Sequence, residues 1–128
     1  MSTSRALILT GAIFGLLGVV LGAVGVHALR DTLDAKALGT FDTGVRFQMY
    51  HALALLAVGL LAGQWKTGLV KLSGILFTVG IVVFSGSLYI LAITGIGVFG
   101  AIAPLGGMSL IAAWASLVIG TIRQRDSS

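Results

Sequence analysis

The chain has 128 residues, of which 57% are hydrophobic and only 9% are charged, whereas soluble domains carry about 25% charged residues. This composition excludes an ordinary soluble domain and is typical of a protein with several membrane spans. The net charge of +4 comes from basic residues at the ends of apolar segments, which indicates membrane orientation signals and no nucleic-acid surface, and the absence of cysteine excludes disulfides and thiolate metal sites.

The first apolar segment covers residues 6–29 and contains no charged residue. At about 1.5 Å per residue it exceeds the roughly 30 Å hydrocarbon core, so we predict a membrane-spanning helix and not the shorter apolar part of a cleaved signal peptide. Glycines recur every three or four positions on one side of this helix, and such a face permits close helix packing. This glycine face consists of Gly11, Gly15, Gly18, Gly22 and Gly25.

A polar segment, residues 30–46, follows the first span. The apolar spacing in its first half predicts a short helix on the membrane surface that ends at Gly39. Asp42 and Arg46, near its end, have the i,i+4 spacing of a helical ion pair.

The second span is predicted at about residues 47–63. Helical periodicity turns Gln48 and His51 toward the other helices, whereas Arg46 and Tyr50 share a different direction near the membrane surface. The third span is predicted at about residues 72–93. It carries a polar face made of Thr78, Ser85 and Tyr89.

Pro104 allows two versions of the fourth span, since proline is tolerated in the first turn of a helix but kinks its interior. The span is either residues 98–122 with a kink, or residues 104–122, and we prefer the second. A face of small residues is predicted to pack against the glycine face of the first span. It consists of Gly106, Ser109, Ala113, Ser116 and Gly120.

The distribution of lysine and arginine predicts the orientation. One side of the membrane holds Arg5, Lys66, Lys71, Arg123 and Arg125, and the other holds Arg30, Lys36 and Arg46. The more basic side is expected to be cytoplasmic. We therefore predict an all-α integral membrane four-helix bundle in the bacterial inner membrane, a single domain of residues 1–128 with both termini in the cytoplasm.

In this arrangement the polar side chains of the spans gather in the outer third of the membrane. The candidates for binding a ligand or partner are His27, Arg46, Gln48, Tyr50, His51, Ser85 and Tyr89. Any function inside the bundle is then expected at its outer mouth.

Catalytic and cofactor motifs are absent from the sequence, so we expect neither an enzyme nor a cofactor. His27 and His51 are weak candidates for metal ligands, but a site requires a third ligand, and we expect each histidine to bond instead to a backbone carbonyl or a serine. No carboxylate lies within a predicted span, which argues against an ion-coupled transporter or a proton pump.

Four ordered segments of the chain resemble a known family. They read Gly-Val-His-Ala-Leu at residues 25–29, Arg-Phe-Gln-Met-Tyr-His-Ala-Leu-Ala at residues 46–54, Phe-Ser-Gly-Ser-Leu-Tyr at residues 84–89 and Pro-Leu-Gly-Gly at residues 104–107. The chain is similar to the YgdD-like family of small bacterial inner-membrane proteins of unknown function, which has eukaryotic transmembrane relatives. The resemblance implies a four-span membrane protein and supplies no activity or catalytic residue.

Two functions remain open at this point. The first is a non-enzymatic accessory or assembly subunit that docks a partner protein or a lipid headgroup through an outer cluster of Arg46, Gln48, Tyr50 and His51. The second is a small-molecule, metal or quinone-type site, or a solute pathway, at the outer mouth of the bundle, formed by His51, Ser85 and Tyr89. The expected partners are membrane lipids, with a larger membrane protein complex or self-association left open, and no nucleic acid.

Overall fold

Long helices account for nearly all of the computed structural model, which describes residues 1–125, and no strand occurs in this part of the chain. Residues 126–128, the end of the predicted domain, lie outside the described residues. Four helices are long and apolar enough to cross a membrane, with mean hydropathy between 1.5 and 2.5 over their most apolar stretches. The prediction of an all-α protein with four spans is therefore confirmed. The helices are α1 (Thr3–His27), α2 (Ala35–Ala62), α3 (Gly68–Thr94) and α4 (Val98–Arg123).

The bundle has two ends, which we call the Gly95 end and the Trp65 end. The Gly95 end carries the connections 28–34 and 95–97, and the Trp65 end carries the connection 63–67, the N-terminus and the end of α4. Gly95 terminates α3 with a positive φ of 70°, a conformation that glycine adopts without steric cost.

The second helix begins earlier than the sequence analysis predicted. The Asp34 side chain caps its N-terminus by accepting a hydrogen bond from the Ala37 amide at 2.8 Å. The helix then continues through Gly39, so the prediction of a separate surface helix ending at this glycine is wrong. A single exposed glycine costs only about 1 kcal/mol inside a helix, and the capped N-terminus and the following span sustain the longer helix.

The fourth helix corrects our preferred reading of Pro104. It starts at Val98 and continues through the proline, so the longer alternative, residues 98–122, is nearer to the structure than residues 104–122. Pro104 has no N–H to donate within α4, which costs the helix one hydrogen bond but does not end it.

The helices pack in chain order, α1 on α2, α2 on α3 and α3 on α4. Among the described residues, no Cα atom of α1 lies within 8 Å of one in α4, so the predicted pairing of the first and fourth spans is wrong. The glycine face of α1, apart from Gly15, packs on α2 instead, where a Cβ placed on Gly11 would lie 2.9 Å from the Ala52 carbonyl oxygen. Short connections favour contact between consecutive helices, and helical periodicity alone does not say which helix a small face meets.

The small-residue face of α4 packs on α3. Gly106 lies directly over the backbone of Phe84, and Ser109 donates a hydrogen bond to the Leu76 carbonyl at 2.8 Å. Phe84 belongs to a π-helical turn of α3, Ile81–Ser85, in which the wider turn locally changes the direction of the side chains. The closest approach of the two helices therefore coincides with this irregular turn.

Polar side chains connect neighbouring helices by donating to main-chain carbonyl oxygens. In membranes such bonds stabilise helix packing by about 0.6 kcal/mol on average. The bonds are Ser4 to Gly59 (2.7 Å), Gln48 to Phe14 (2.8 Å), Ser73 to Ala113 (2.9 Å), Ser85 to Gly44 (2.7 Å) and Ser109 to Leu76 (2.8 Å).

Candidate functional site

The residues predicted to form one outer cluster lie in separate places. Gln48, Ser85 and Tyr89 bond within the bundle, Arg46 and Tyr50 are on its surface, and His51 borders a groove between α2 and α4. The remaining candidate, His27, is exposed at the end of α1.

Gln48 joins three helices. Its side chain is buried, its Nε2 donates to the Phe14 carbonyl of α1 at 2.8 Å, and its Oε1 accepts a hydrogen bond from the Tyr89 hydroxyl of α3 at 2.6 Å. Ser85 lies nearby and donates to the Gly44 carbonyl. These side chains bond to the protein itself, and their arrangement serves to hold helices together.

Asp42 and Arg46 form the predicted i,i+4 ion pair, with the Arg46 Nε atom 3.0 Å from the Asp42 Oδ2 atom. The two side chains are 65% and 55% exposed respectively, and Tyr50, one turn further along α2, is also exposed. These residues present one cation, one anion and one hydroxyl to the surroundings of the bundle.

A groove runs between α1 and α2 beside this ion pair. It has a volume of about 320 Å³, and we call it the interfacial groove. Gly22 and Gly25 leave space for the groove because they have no side chains. A Cβ on Gly25 would lie only 3.1 Å from the Phe41 ring and would narrow it. Its walls include Gly22, Gly25, Arg30, Phe41, Asp42 and Val45.

His51 is only 5% exposed and lies within a group of aromatic rings. Its ring centroid is 5.6 Å from that of Phe77 and 5.9 Å from those of Phe47 and Trp114. Its Nδ1 atom is 2.6 Å from the Phe47 carbonyl oxygen, so the expectation that this histidine bonds to a backbone carbonyl is confirmed.

The same histidine borders a second groove, of about 480 Å³, which we call the His51 groove. The groove lies between α2 and α4, and the side chains at its margin face the surroundings of the bundle. Its walls include Phe47, His51, Pro104, Met108, Ile111 and Trp114.

The candidates lie at different distances from the Gly95 end. Tyr89 packs on Phe41, with ring centroids 5.0 Å apart, whereas His51 packs on Phe77. His51 lies about 15 Å further along α2 than Phe41, so it is well below the Gly95 end.

The two histidines do not converge. His27 ends α1 at the Gly95 end, and His51 is deep in the bundle. Within residues 1–125 no group of three or more histidine, cysteine, aspartate or glutamate side chains is placed to hold a metal ion.

Trp114, a wall of the His51 groove, was not among the site residues predicted from the sequence. Tryptophan in membrane proteins is enriched at the two surfaces, and Trp114 lies near the middle of α4. A tryptophan in the middle of an apolar segment, away from both membrane surfaces, was the feature of the sequence that could have indicated this site.

Comparison with known proteins gives a consistent set of similarities. A family model described as "Protein of unknown function (DUF423)" matches residues 21–107. The UPF0382 membrane protein YwdK of Bacillus subtilis is 45% identical over 120 residues, covering 93% of this chain and 98% of the relative. The UPF0382 inner membrane protein YgdD of Escherichia coli K12 is 36% identical over 121 residues, covering 94% of this chain and 92% of the relative. No solved structure matches.

Proposed function

We propose, on the basis that this chain belongs to the DUF423 family of proteins of unknown function, that it is a non-enzymatic membrane protein that docks a phospholipid headgroup at the Gly95 end. Family membership confirms the resemblance drawn from the four sequence segments. The relatives are named membrane proteins, YgdD is named an inner membrane protein, and four helices can span a bilayer, so the chain is a multi-pass inner-membrane protein.

The observation that supports docking is the exposed ion pair of Asp42 and Arg46 beside the interfacial groove. A guanidinium group binds phosphate, and a carboxylate binds an ammonium group. Phosphatidylethanolamine carries both complementary charges in one headgroup. An exposed ion pair contributes only about 0–1 kcal/mol, so exchanging the pair for these two headgroup contacts costs little.

The interfacial groove suits the upper part of an acyl chain. Apolar walls extend along α1 and α2 below the charged residues, and Arg30 adds a second cation at the rim. A lipid whose headgroup binds Asp42 and Arg46 would thus place its acyl chain in the interfacial groove. In the proposed orientation the Gly95 end faces the periplasm, so the lipid belongs to the outer leaflet of the inner membrane.

Native mass spectrometry of protein released from nanodiscs tests this proposal. The nanodiscs contain equal amounts of phosphatidylethanolamine and phosphatidylglycerol. We expect wild type to retain one phosphatidylethanolamine, and Arg46→Gln and Asp42→Asn to lose it. Arg5→Gln removes a cation at the Trp65 end and should retain the lipid.

Retention by both variants, or retention of phosphatidylglycerol alone, would contradict the proposal. A protein that copurifies with wild type and is lost with Arg46→Gln would show that these residues dock a protein partner and not a lipid. The second function considered from the sequence was a small-molecule site formed by His51, Ser85 and Tyr89. Of these residues only His51 stays a candidate ligand-binding residue, because Ser85 bonds to Gly44 and Tyr89 bonds to Gln48.

A further inference from the structure

We propose that the His51 groove binds a lipid-soluble molecule whose head is a ring with a hydroxyl group, a phenol or a quinol. In this site the hydroxyl donates a hydrogen bond to the Nε2 atom of His51. The inference is independent of headgroup docking, since it concerns a different groove, between α2 and α4.

The hydrogen bond at Nδ1 determines which atom of His51 can meet a ligand. A carbonyl oxygen only accepts, so Nδ1 must donate to the Phe47 carbonyl across the 2.6 Å that separate them. In a neutral ring the proton is then on Nδ1, and Nε2 is an acceptor. The bond to the main chain of the same helix therefore fixes both the tautomer and the direction of the free acceptor.

Nε2 has no hydrogen-bond partner among the described residues. It also keeps some accessible surface, since in this part of the chain no fully buried side-chain nitrogen or oxygen lacks a partner. The side chain as a whole is only 5% exposed and borders the His51 groove. The accessible acceptor is therefore reached through this groove.

The position of the groove explains why a lipid acyl chain is a poor occupant. The neighbouring Trp114 lies about 14 Å along α4 from the charged residue Arg123, which places the site within the hydrocarbon of a membrane. An unpaired acceptor costs free energy there, and acyl chains have no donor to offer. A ligand with a hydroxyl group removes this cost.

The walls of the groove favour a flat ring as the ligand's head. Phe47 and Trp114 line the groove beside the imidazole ring, and aromatic rings pack well in offset or edge-to-face arrangements. The volume of about 480 Å³ is within the range of small-molecule pockets. Met108 and Ile111, which are 65% and 70% exposed, form the outer margin, so an apolar tail can extend between them into the lipid.

The first test compares two probes on the same protein, and no folding defect can influence it. The probes are decylhydroquinone, kept reduced under nitrogen, and its dimethyl ether, which has nearly the same shape but no donor. The protein carries ¹⁵N-labelled histidine in nanodiscs, with His27→Gln so that every histidine signal belongs to His51. We expect decylhydroquinone to shift the Nε2 resonance upfield with saturation, and at least tenfold weaker binding of the ether.

The second test compares the two histidines of the chain. His51→Phe keeps an aromatic ring but removes the acceptor, and His27→Phe makes the same change at an exposed position. Binding of decylhydroquinone, measured by quenching of Trp114 in a Trp65→Phe background, should weaken at least tenfold in His51→Phe and remain unchanged in His27→Phe.

Equal binding of the two probes, or equal binding by the two variants, would overturn the proposal, because both results indicate simple partitioning into the membrane. An Nε2 resonance that is already hydrogen-bonded in the ligand-free protein would also overturn it. In that case a second copy of the chain or a water molecule occupies the groove, and the oligomeric state in native mass spectrometry distinguishes the two.

Discussion

The Nε2 atom of Gln48 donates a hydrogen bond to the Phe14 carbonyl oxygen across 2.8 Å, which ties α2 to α1 in the interior of the protein. The same side chain accepts a hydrogen bond from Tyr89 of α3. One residue therefore connects three consecutive helices, and a candidate for partner docking turns out to be an internal contact. The charged and aromatic side chains around it divide into an exposed pair, Asp42 and Arg46, and a separate group of aromatic rings around His51.

We expect Gln48→Leu to destabilise the bundle. Leucine fills a similar volume but leaves the Tyr89 hydroxyl without its acceptor and α1 without its bond to α2. Loss of a buried hydrogen-bond partner costs about 1–3 kcal/mol. The free energy of unfolding, measured by denaturant titration in mixed micelles, should fall by this amount. Gln64→Leu, at an exposed glutamine in the connection 63–67, is the control, and an equal loss in both variants would contradict the assigned role.

Two adjacent glycines of α4 should respond differently to alanine. A Cβ at position 106 would collide with the backbone of Phe84, so Gly106→Ala must push α3 and α4 apart. A Cβ at position 107 would lie 3.6 Å from the Phe84 ring, an ordinary contact, and alanine favours helix over glycine by about 1 kcal/mol. Thermal unfolding should show a lower Tm for Gly106→Ala and an unchanged or higher Tm for Gly107→Ala. If both variants keep the Tm of wild type, the close approach of these helices is wrong.

Disulfide crosslinking can test the order of the helices, since the native chain has no cysteine. A Cβ on Gly22 would lie 3.4 Å from a side-chain carbon of Val45, so cysteines at these positions of α1 and α2 should form a disulfide rapidly under mild oxidation. The control pair places cysteines at Gly18 and Ala113, in α1 and α4, and should not crosslink. Non-reducing electrophoresis, which separates crosslinked from open chains after cleavage in the connection 28–34, would reveal the reverse pattern if α1 packed on α4.

Single cysteines also report the orientation that the basic residues predict. Thr32→Cys lies in the connection 28–34 and Lys66→Cys lies at the opposite end of the bundle. A membrane-impermeant maleimide added to intact spheroplasts should label Thr32→Cys and spare Lys66→Cys until the membrane is permeabilised. Labelling of Lys66→Cys alone would reverse the orientation, and with it the leaflet to which the proposed phospholipid belongs.

Local features of the sequence predicted much of the fold correctly. The i,i+4 ion pair of Asp42 and Arg46 and the backbone bond of His51 each involve residues one helical turn apart, and both are present. The start of α2 was not predicted, and the continuity of α4 through Pro104 was the alternative that we did not prefer, because capping by Asp34 and the packing of neighbouring helices outweigh the local preference of one glycine or proline.

The amino-acid sequence by itself determined the membrane class, the number of spans and the face of each helix that carries small residues. These properties depend on composition and on the 3.6-residue period, both of which are local. Only the tertiary structure decided that the glycine face of α1 meets α2, that Gln48 bonds to both Phe14 and Tyr89, and that His51 lies deep beside Trp114. The relative positions of helices depend on their stagger, on the π-helical turn of α3 and on contacts between residues far apart in the chain, and a period within one helix carries no information about these.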